Sequence, residues 1–232
     1  TNTPDVLTES TADLAFALLM SSARRVAELD AWTKAGEWKA SVGAPLFGCD
    51  VHGKTLGIVG MGNIGAAVAR RGHLGFNMPI LYSGNSRKPA LEQALGAQFR
   101  SLDELLAEAD FVCLVVPLSD KTRHLISTRE LGLMKSSAIL INISRGPVVD
   151  EPALIEALQT QRIRGAGLDV YEQEPLAASP LFQLSNAVTL PHIGSATHET
   201  REAMANRALD NLRSALLGQR PQDLVNPQVW KG

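Results

Sequence analysis

Four polar side chains in the second half of the chain have types and spacing that could do chemistry. Arg145, Asp169 and His192 each lie beside a short apolar run, and Glu174 lies between the last two. An arginine can hold an anion and polarise a carbonyl group. A histidine can donate a proton near neutral pH, and a nearby carboxylate stabilises its charged form. Glu174, or less favourably Glu172, is the candidate carboxylate, so the set predicts a proton-transfer site.

Each of these residues also has a purely structural alternative. His192 could be a loop histidine with satisfied hydrogen bonds, and Arg145 could form a surface ion pair after its strand. Glu174 could simply precede the turn at Pro175. Perturbed groups also occur for structural reasons, so the fold around them has to decide.

The elements that must position these residues follow from the alternation of apolar runs and helical patterns after residue 54. Continuous apolar strands separated by helices predict a parallel sheet covered on both faces, which is the doubly wound α/β (Rossmann) class. Arg145, Asp169 and His192 are expected on one edge of that sheet, because the carboxyl ends of parallel strands lie together. The predicted strands cover residues 55–59, 79–82, 111–116, 138–143, 165–170 and 187–190, and the predicted helices cover 64–74, 89–95, 130–134, 150–159 and 197–217, with another helix capped by Ser101 and Glu104.

A glycine-rich turn follows the first of these strands and opens a helix. Its spacing is Gly60-Met-Gly62-Asn63-Ile64-Gly65. In such a turn the first glycine permits the bend, the second lets the backbone approach a pyrophosphate, and the third lets helix and strand pack closely. The helix N-terminus offers N–H groups and partial positive charge to phosphates. The context predicts dinucleotide binding rather than a plain turn.

The end of the second strand indicates which dinucleotide binds. NAD-binding domains place an acidic residue on the ribose about 20 residues after the glycines. The segment Ser83-Gly-Asn-Ser86-Arg87-Lys88 has no carboxylate there, and its two cations and two hydroxyl groups can bind a 2′-phosphate. NADP(H) is therefore the predicted cofactor, with NAD(H) as the weaker alternative. A solvated basic loop is the structural alternative.

The first 50 residues differ from the rest of the chain. Residues 8–29 are predicted to form one long helix, followed by a loop-rich arm over residues 32–49 that contains Trp38. We expect this crossover helix and arm over residues 1–50, the dinucleotide-binding domain over 51–195, and a closing helical segment over 196–232. Because the chain begins with Thr1 rather than Met, a piece of a longer protein is expected.

Composition excludes several classes of protein. The formal charge of -2 provides no basic field for nucleic acid or an anionic membrane. The apolar stretch at residues 14–20 is bracketed by Asp13 and Arg24 too closely for a membrane span. Cys49 and Cys113 form no disulfide framework and no metal spacing, so a reducing cytoplasm is the expected compartment and no metal is expected.

These segments together resemble the D-isomer-specific 2-hydroxyacid dehydrogenase family. The resemblance covers almost the whole chain and rests on residues 3–4 and 7–9, on the glycine turn, and on residues 142–150, 167–175 and 191–195. It implies that Arg145, Glu174 and His192 are the catalytic arginine, glutamate and proton-donor histidine. It also implies that Asp169 contacts the nicotinamide end, and that other cofactor-lining positions are Thr11, Pro117, Ile143 and Ser195.

Within the family, residues 76–82, 134–137 and 192–200 look most like the bacterial NADP-dependent branch. That likeness implies reduction of glyoxylate, hydroxypyruvate or 2-ketogluconate by NADPH to the D-2-hydroxy acid. Residues 8–29 and the arm are similar to the family's dimerisation segment, so a homodimer is expected, with Trp38 as an interface anchor or a residue that reaches the partner's substrate. The family's N-terminal half of the substrate domain has no counterpart in the chain.

Two other functions share this fold. One is a nucleotide-sensing binding protein of the kind found among transcriptional corepressors, but no segment resembles a partner-binding tail. The other is an NAD-linked enzyme of the phosphoglycerate dehydrogenase type. The absence of an acidic residue at Ser83 argues against that branch.

Overall fold

A seven-stranded parallel sheet forms the centre of the chain. The computed structural model describes residues 1–230. The strand order is β3-β2-β1-β4-β5-β6-β7, so the order reverses between β1 and β4. The doubly wound α/β prediction is confirmed. The strands are β1 (Leu56–Val59), β2 (Ile80–Ser83), β3 (Gln98–Phe99), β4 (Phe111–Leu114), β5 (Ile139–Asn142), β6 (Gly165–Leu168) and β7 (Ala187–Thr189).

Both faces of this sheet are covered by helices. Side chains alternate across each strand, so Ile58 and Ile141 enter one core while Val59 and Leu140 enter the other. The strands β1, β4, β5 and β6 are buried at every residue, which explains why they are apolar in sequence except for Asn142 at the end of β5. The helices are α1 (Thr8–Arg24), α2 (Val26–Lys34), α3 (Asn63–Phe76), α4 (Pro89–Leu95), α5 (Leu102–Glu108), α6 (Thr128–Leu133), α7 (Glu151–Gln159) and α8 (His198–Leu216).

Local capping determines several of the helix starts. Ser101 and Glu104 form the predicted capping box at α5, in which each side chain accepts from the other residue's backbone N–H. The Asp150 side chain accepts from the Ala153 N–H at 3.2 Å and starts α7 as predicted. Satisfied N-terminal donors therefore set these two boundaries, and the predicted caps of α5 and α7 are correct.

The predicted single helix over residues 8–29 is wrong. The helix ends at Arg24, because Arg25 adopts a left-handed conformation with φ of 56°. A second helix, α2, then continues to Lys34, beyond the predicted start of the arm. The Arg25 guanidinium binds Glu28 and the carbonyl oxygen of Pro45, and the Cys49 N–H donates to the Ala23 carbonyl oxygen at 2.8 Å. These contacts with the arm hold the break.

The first helix belongs to the core of the sheet domain. Ala12, Ala15, Leu18 and Leu19 are each at most 2% exposed and share one apolar cluster with the strands. The arm behaves differently, because Trp38 is 64% exposed. The segment 1–50 thus combines a core helix with an exposed arm. Among residues 1–230, no helix is both long and apolar enough to cross a bilayer.

Candidate active site

The glycine turn lies where the strand order reverses. Gly60 has a φ of 103°, and a Cβ there would lie 2.8 Å from the Val115 carbonyl oxygen, so a side chain is excluded by conformation and by space. A Cβ on Gly65 would overlap the Gly60 carbonyl oxygen. Beside Gly62, by contrast, nothing lies within 4 Å. Gly60 and Gly65 therefore shape the turn, and Gly62 leaves open space at the N-terminus of α3 for a ligand.

A cleft of about 470 Å³ opens at this turn. It is lined on one side by Gly62, Asn63 and Ile64 and on another by the N-terminal segment before α1. Arg145 also lines it, so one predicted chemical residue and the glycine turn face the same space. The Asn63 side-chain amide donates to the Asp5 carboxylate, which anchors the N-terminal segment over the turn.

The segment 83–88, which we call the ribose loop, follows β2 beside the glycine turn. The Gly60 N–H donates to the Ser83 carbonyl oxygen at 2.9 Å, so the loop begins next to the turn. Arg87 forms an ion pair of 2.6 Å with Glu92 on α4. The segment itself has no carboxylate, as the sequence shows, but Glu92 follows the loop in sequence and reaches back to Arg87.

Arg145 is held by a pinned turn after β5. The Asn142 side-chain oxygen accepts from the Ser144 N–H at 3.1 Å, and its amide donates to the Arg145 carbonyl oxygen at 3.2 Å. Gly146 packs against the Tyr171 backbone so closely that a Cβ would overlap the Tyr171 carbonyl oxygen. The backbone of Arg145 is therefore fixed, while its side chain stays exposed at the cleft.

His192 and Glu174 form a direct pair. The Nδ1 atom of His192 lies 2.6 Å from Oε2 of Glu174, and the other oxygen of Glu174 accepts from the Tyr171 N–H at 3.0 Å. Burial raises the pKa of Glu174, but the hydrogen bond from His192, the Tyr171 N–H and the charge of Arg145 outweigh it and leave that pKa below its usual value. An ionised Glu174 accepts a hydrogen bond from the Nδ1–H group of His192. The Nε2 atom of the same ring is then available for a substrate.

The alternative partner for the histidine is excluded by the geometry. Glu172 instead lies 2.7 Å from Nε2 of His124, a different histidine on the loop after β4. The two glutamates, two residues apart, thus hold two separate histidines. Only Glu174 reaches His192.

Asp169 holds the loop that carries His192. It is 1% exposed, and its two carboxylate oxygens accept from the N–H groups of Ile193 at 2.7 Å and Gly194 at 2.9 Å. Thr11 on α1 donates to the Gly194 carbonyl oxygen at 3.1 Å. Burial raises the pKa of Asp169, although both N–H donors lower it in part. His192 itself has a φ of 55°, a conformation that this clamp maintains.

The remaining predicted cofactor positions lie around the same edge of the sheet. Ile143 is 7% exposed, Ser195 is half-buried and Pro117, Ser86 and Arg87 are exposed, while Lys88 donates its backbone N–H to the Tyr82 hydroxyl oxygen at 2.7 Å. Their contact with a cofactor stays a prediction.

Three residues near the site were missed from sequence. Asn142 pins the Arg145 turn, Glu92 pairs with Arg87, and Tyr171 joins the loops. The Tyr171 hydroxyl donates to the Leu190 carbonyl oxygen at 2.8 Å, just before the segment with His192. The role of Asn142 could have been predicted, because a polar residue at the end of an apolar strand is unusual. The contacts of Glu92 with Arg87 and of Tyr171 with Leu190 depend on the folded structure and could not be predicted.

Comparisons with known proteins agree with this geometry. The sequence model for the D-isomer specific 2-hydroxyacid dehydrogenase NAD binding domain matches residues 16–194. The chain belongs to this family. The matched segment contains the glycine turn, the ribose loop and all four of Arg145, Asp169, Glu174 and His192, so the family resemblance noted from sequence is confirmed.

Curated relatives indicate which members of the family the chain is similar to. A glyoxylate/hydroxypyruvate reductase B of Escherichia fergusonii is 57% identical over 231 residues, which cover 99% of this chain and 71% of the relative. A protein of the same description from Yersinia pestis is 58% identical over 229 residues, which cover 98% of this chain and 70% of the relative. The family is thus one of oxidoreductases that bind NAD(P).

Solved structures show the same fold. A Thermus thermophilus protein is 50% identical with a TM-score of 0.91, covering 97% of this chain and 70% of its own. An NADPH-dependent glyoxylate/hydroxypyruvate reductase from Sinorhizobium meliloti, solved with NADP and malonate, is 34% identical with a TM-score of 0.91. That match covers 100% of this chain and 72% of the reductase.

Proposed function

We propose that the protein reduces a small 2-keto acid to the D-2-hydroxy acid with NADPH, the candidate substrates being glyoxylate, hydroxypyruvate and 2-ketogluconate. The observation that carries the proposal is the His192–Glu174 pair at 2.6 Å, on the same sheet edge as the glycine turn. The names of the curated relatives and of the Sinorhizobium structure support the substrate class.

His192 is the proposed proton donor. Glu174 accepts at Nδ1 and fixes the ring, so a protonated imidazole presents its Nε2–H to the substrate carbonyl oxygen. The oxygen gains this proton as the carbonyl carbon is reduced. Asp169 contributes by holding the backbone on the C-terminal side of His192. Its proposed second role is contact with the nicotinamide end of the cofactor.

Arg145 is the proposed binding residue for the substrate carboxylate, and we call it the anion holder. Its exposed guanidinium at the cleft can bind the substrate carboxylate and polarise the carbonyl oxygen. Asn142 and Gly146 fix its backbone, which favours a repeatable position for the side chain. The charge of Arg145 also acts on Glu174, so the anion holder and the proton relay share one electrostatic environment.

The residues present fit a dinucleotide. The open space beside Gly62 and the first N–H groups of α3 suit a pyrophosphate, and the cleft of about 470 Å³ continues toward Arg145. When bound, the reduced nicotinamide supplies the hydride. Thr11, Pro117, Ile143 and Ser195 are proposed to line the same cofactor. The cations of Arg87 and Lys88 on the ribose loop favour NADPH over NADH.

The experiment is an assay of cofactor oxidation by the purified protein. NADPH and NADH are each combined with glyoxylate, hydroxypyruvate and 2-ketogluconate, and the loss of reduced cofactor is followed. We expect turnover with at least one substrate and a higher kcat/KM with NADPH. Tight NADPH binding without turnover of any of the three would reject the reductase and favour a nucleotide-sensing protein.

A homodimer is proposed for the assembled protein. Val26, Trp38 and Phe47, in α2 and the arm, are 54%, 64% and 59% exposed, and exposed large apolar groups in one segment favour a protein interface. Sedimentation equilibrium should give twice the monomer mass. Replacement of Trp38 and Phe47 by Ser should shift the protein toward monomer, and a wild-type monomer at every concentration would exclude this interface.

A further inference from the structure

Glu92 holds the Arg87 guanidinium along one edge. Its Nε–H donates to Oε1 of Glu92 at 3.0 Å and one Nη2–H donates to Oε2 at 2.6 Å. A guanidinium has five N–H donors in a rigid fork, so three remain for another acceptor. The side chain is 67% exposed, whereas that of Glu92 is only 18% exposed. The pair thus has one exposed partner and one anchored partner.

The anchor of Glu92 extends into the sheet. The hydroxyl of Tyr82 on β2 donates to Oε1 of Glu92 and accepts from the Lys88 N–H, while the Tyr82 ring is packed in the core. The hydrogen bond from Arg87, followed by that from Tyr82, keeps the pKa of Glu92 below its usual value. Glu92 is therefore charged at neutral pH, and a chain of contacts runs from the core to Arg87.

We propose that Glu92 is a positioning residue for recognition of the 2′-phosphate: by holding one edge of the Arg87 guanidinium, it fixes the three free N–H donors for that phosphate. This proposal rests on the proposed use of NADPH. Restraining a flexible side chain in advance lowers the entropy lost on binding. The opposing effect is repulsion between Glu92 and the phosphate, which water and salt screen at an exposed loop.

The test is E92Q, which keeps the shape of the side chain and an oxygen for Tyr82 but removes the charge that holds Arg87. Kd values for NADPH and NADH are measured by titration of the purified protein, so turnover is not required. We expect NADPH binding to weaken roughly 2- to 10-fold, the worth of restraining one side chain, with NADH nearly unchanged. Y82F, which removes the anchor of Glu92, should weaken NADPH in the same direction.

A matched control is E108Q, since Glu108 pairs with Arg100 at 3.0 Å and neither residue contacts the ribose-loop arginine. It should alter neither Kd. Tighter NADPH binding by E92Q would mean that Glu92 repels the phosphate. Equal weakening of NADPH and NADH binding would mean that Glu92 only supports the loop. Unchanged Kd values for both cofactors would mean that Glu92 does neither. Each result overturns the positioning role. The wild-type values test the other proposal separately, because equal affinity for NADPH and NADH rejects NADPH preference whatever E92Q does.

Discussion

The histidine rim, comprising Arg145, Asp169, Glu174 and His192, and the ribose loop lie at the carboxyl edge of one sheet but are built differently. Each has a residue that lies 2.6 Å from a carboxylate: His192 of the rim pairs with Glu174, and Arg87 of the ribose loop pairs with Glu92 on α4. At the rim, backbone N–H groups and the buried Asp169 fix the neighbouring loops. On the ribose loop the cation is 67% exposed, and its anchor to the core is the single Tyr82 hydroxyl.

The difference matches what each region has to do under the proposed function. Proton transfer depends on the position of one atom, so it favours a site whose backbone is held on several sides. Recognition of a doubly charged phosphate depends on charge as well as position, so an exposed guanidinium held along one edge meets that need. We therefore expect substitutions at the rim to have large effects on turnover or stability, and substitutions at the ribose loop to have smaller effects on cofactor choice.

The largest expected effect is on turnover at the rim. His192→Ala should lower kcat roughly 10²-fold or more, because a positioned general acid is lost, while the Kd for NADPH stays nearly unchanged. Steady-state kinetics and cofactor titration measure the two quantities. His124→Ala is the matched control, since that histidine also pairs with a glutamate at 2.7 Å but lies apart from Glu174. Equal losses in both variants would remove the assignment of His192 as the acid.

The next effect concerns stability, and the same change can be made in both regions. Gly146→Ala places a Cβ against the Tyr171 carbonyl oxygen and should cost about 1–3 kcal/mol, the usual cost of overpacking. Gly84→Ala, in the ribose loop, meets nothing within 4 Å and should stay within about 0.5 kcal/mol. Urea unfolding measures both. If the two variants were equally stable, the rim would not be the more tightly packed region.

The same contrast explains which features could be predicted from sequence. Apolar strands, the glycine turn and the caps at Ser101 and Asp150 are local signals, and the structure contains all of them. The chemical residues follow strand ends, so the parallel sheet brings Arg145 and the glycine turn to one cleft. Sequence spacing alone could not decide whether Glu172 or Glu174 pairs with His192. That choice depends on how the loop after β6 folds over the sheet.

Other features could not be predicted, each for a different physical reason. The break at Arg25 is held by residues of the arm, about 20 positions further along the chain. The two-residue strand β3 is too short to have a periodic pattern. Glu92 lies outside the basic segment that suggested a phosphate site, and only the turn of the chain into α4 brings it to Arg87.

A smaller effect is expected on the ribose loop. Arg87→Ala should weaken NADPH binding about 10-fold, the lower range for a hydrogen bond to a charged group at an exposed site, and should change NADH binding little. Titration with each cofactor measures the ratio. Arg100→Ala provides the control, because this arginine also pairs with a glutamate but does not belong to the ribose loop. Parallel weakening of both cofactors by Arg87→Ala would contradict the 2′-phosphate assignment.

The smallest expected effect is a pH dependence of stability at the rim. The folded pKa of Glu174 lies below its ordinary value of 4.5, so the stability it contributes is present above that value and is lost as the pH falls through the folded pKa. Glu174→Gln lacks this contribution, and its deficit in melting temperature should shrink as the pH falls below 4.5. Because a third of the side chain is exposed, the contribution is at most about 1 kcal/mol, or about 2–4 °C.

The control for this titration is Glu156→Gln, which changes an exposed glutamate on α7. Its melting temperature should follow that of the wild type across the same pH range. The opposite sign, a deficit of Glu174→Gln that grows in acid, would mean that Glu174 is held in its protonated form in the folded protein. In that case it could not accept from Nδ1 of His192 as an ionised carboxylate, and the rim would lack the feature that distinguishes it from the ribose loop: a proton relay fixed by buried contacts.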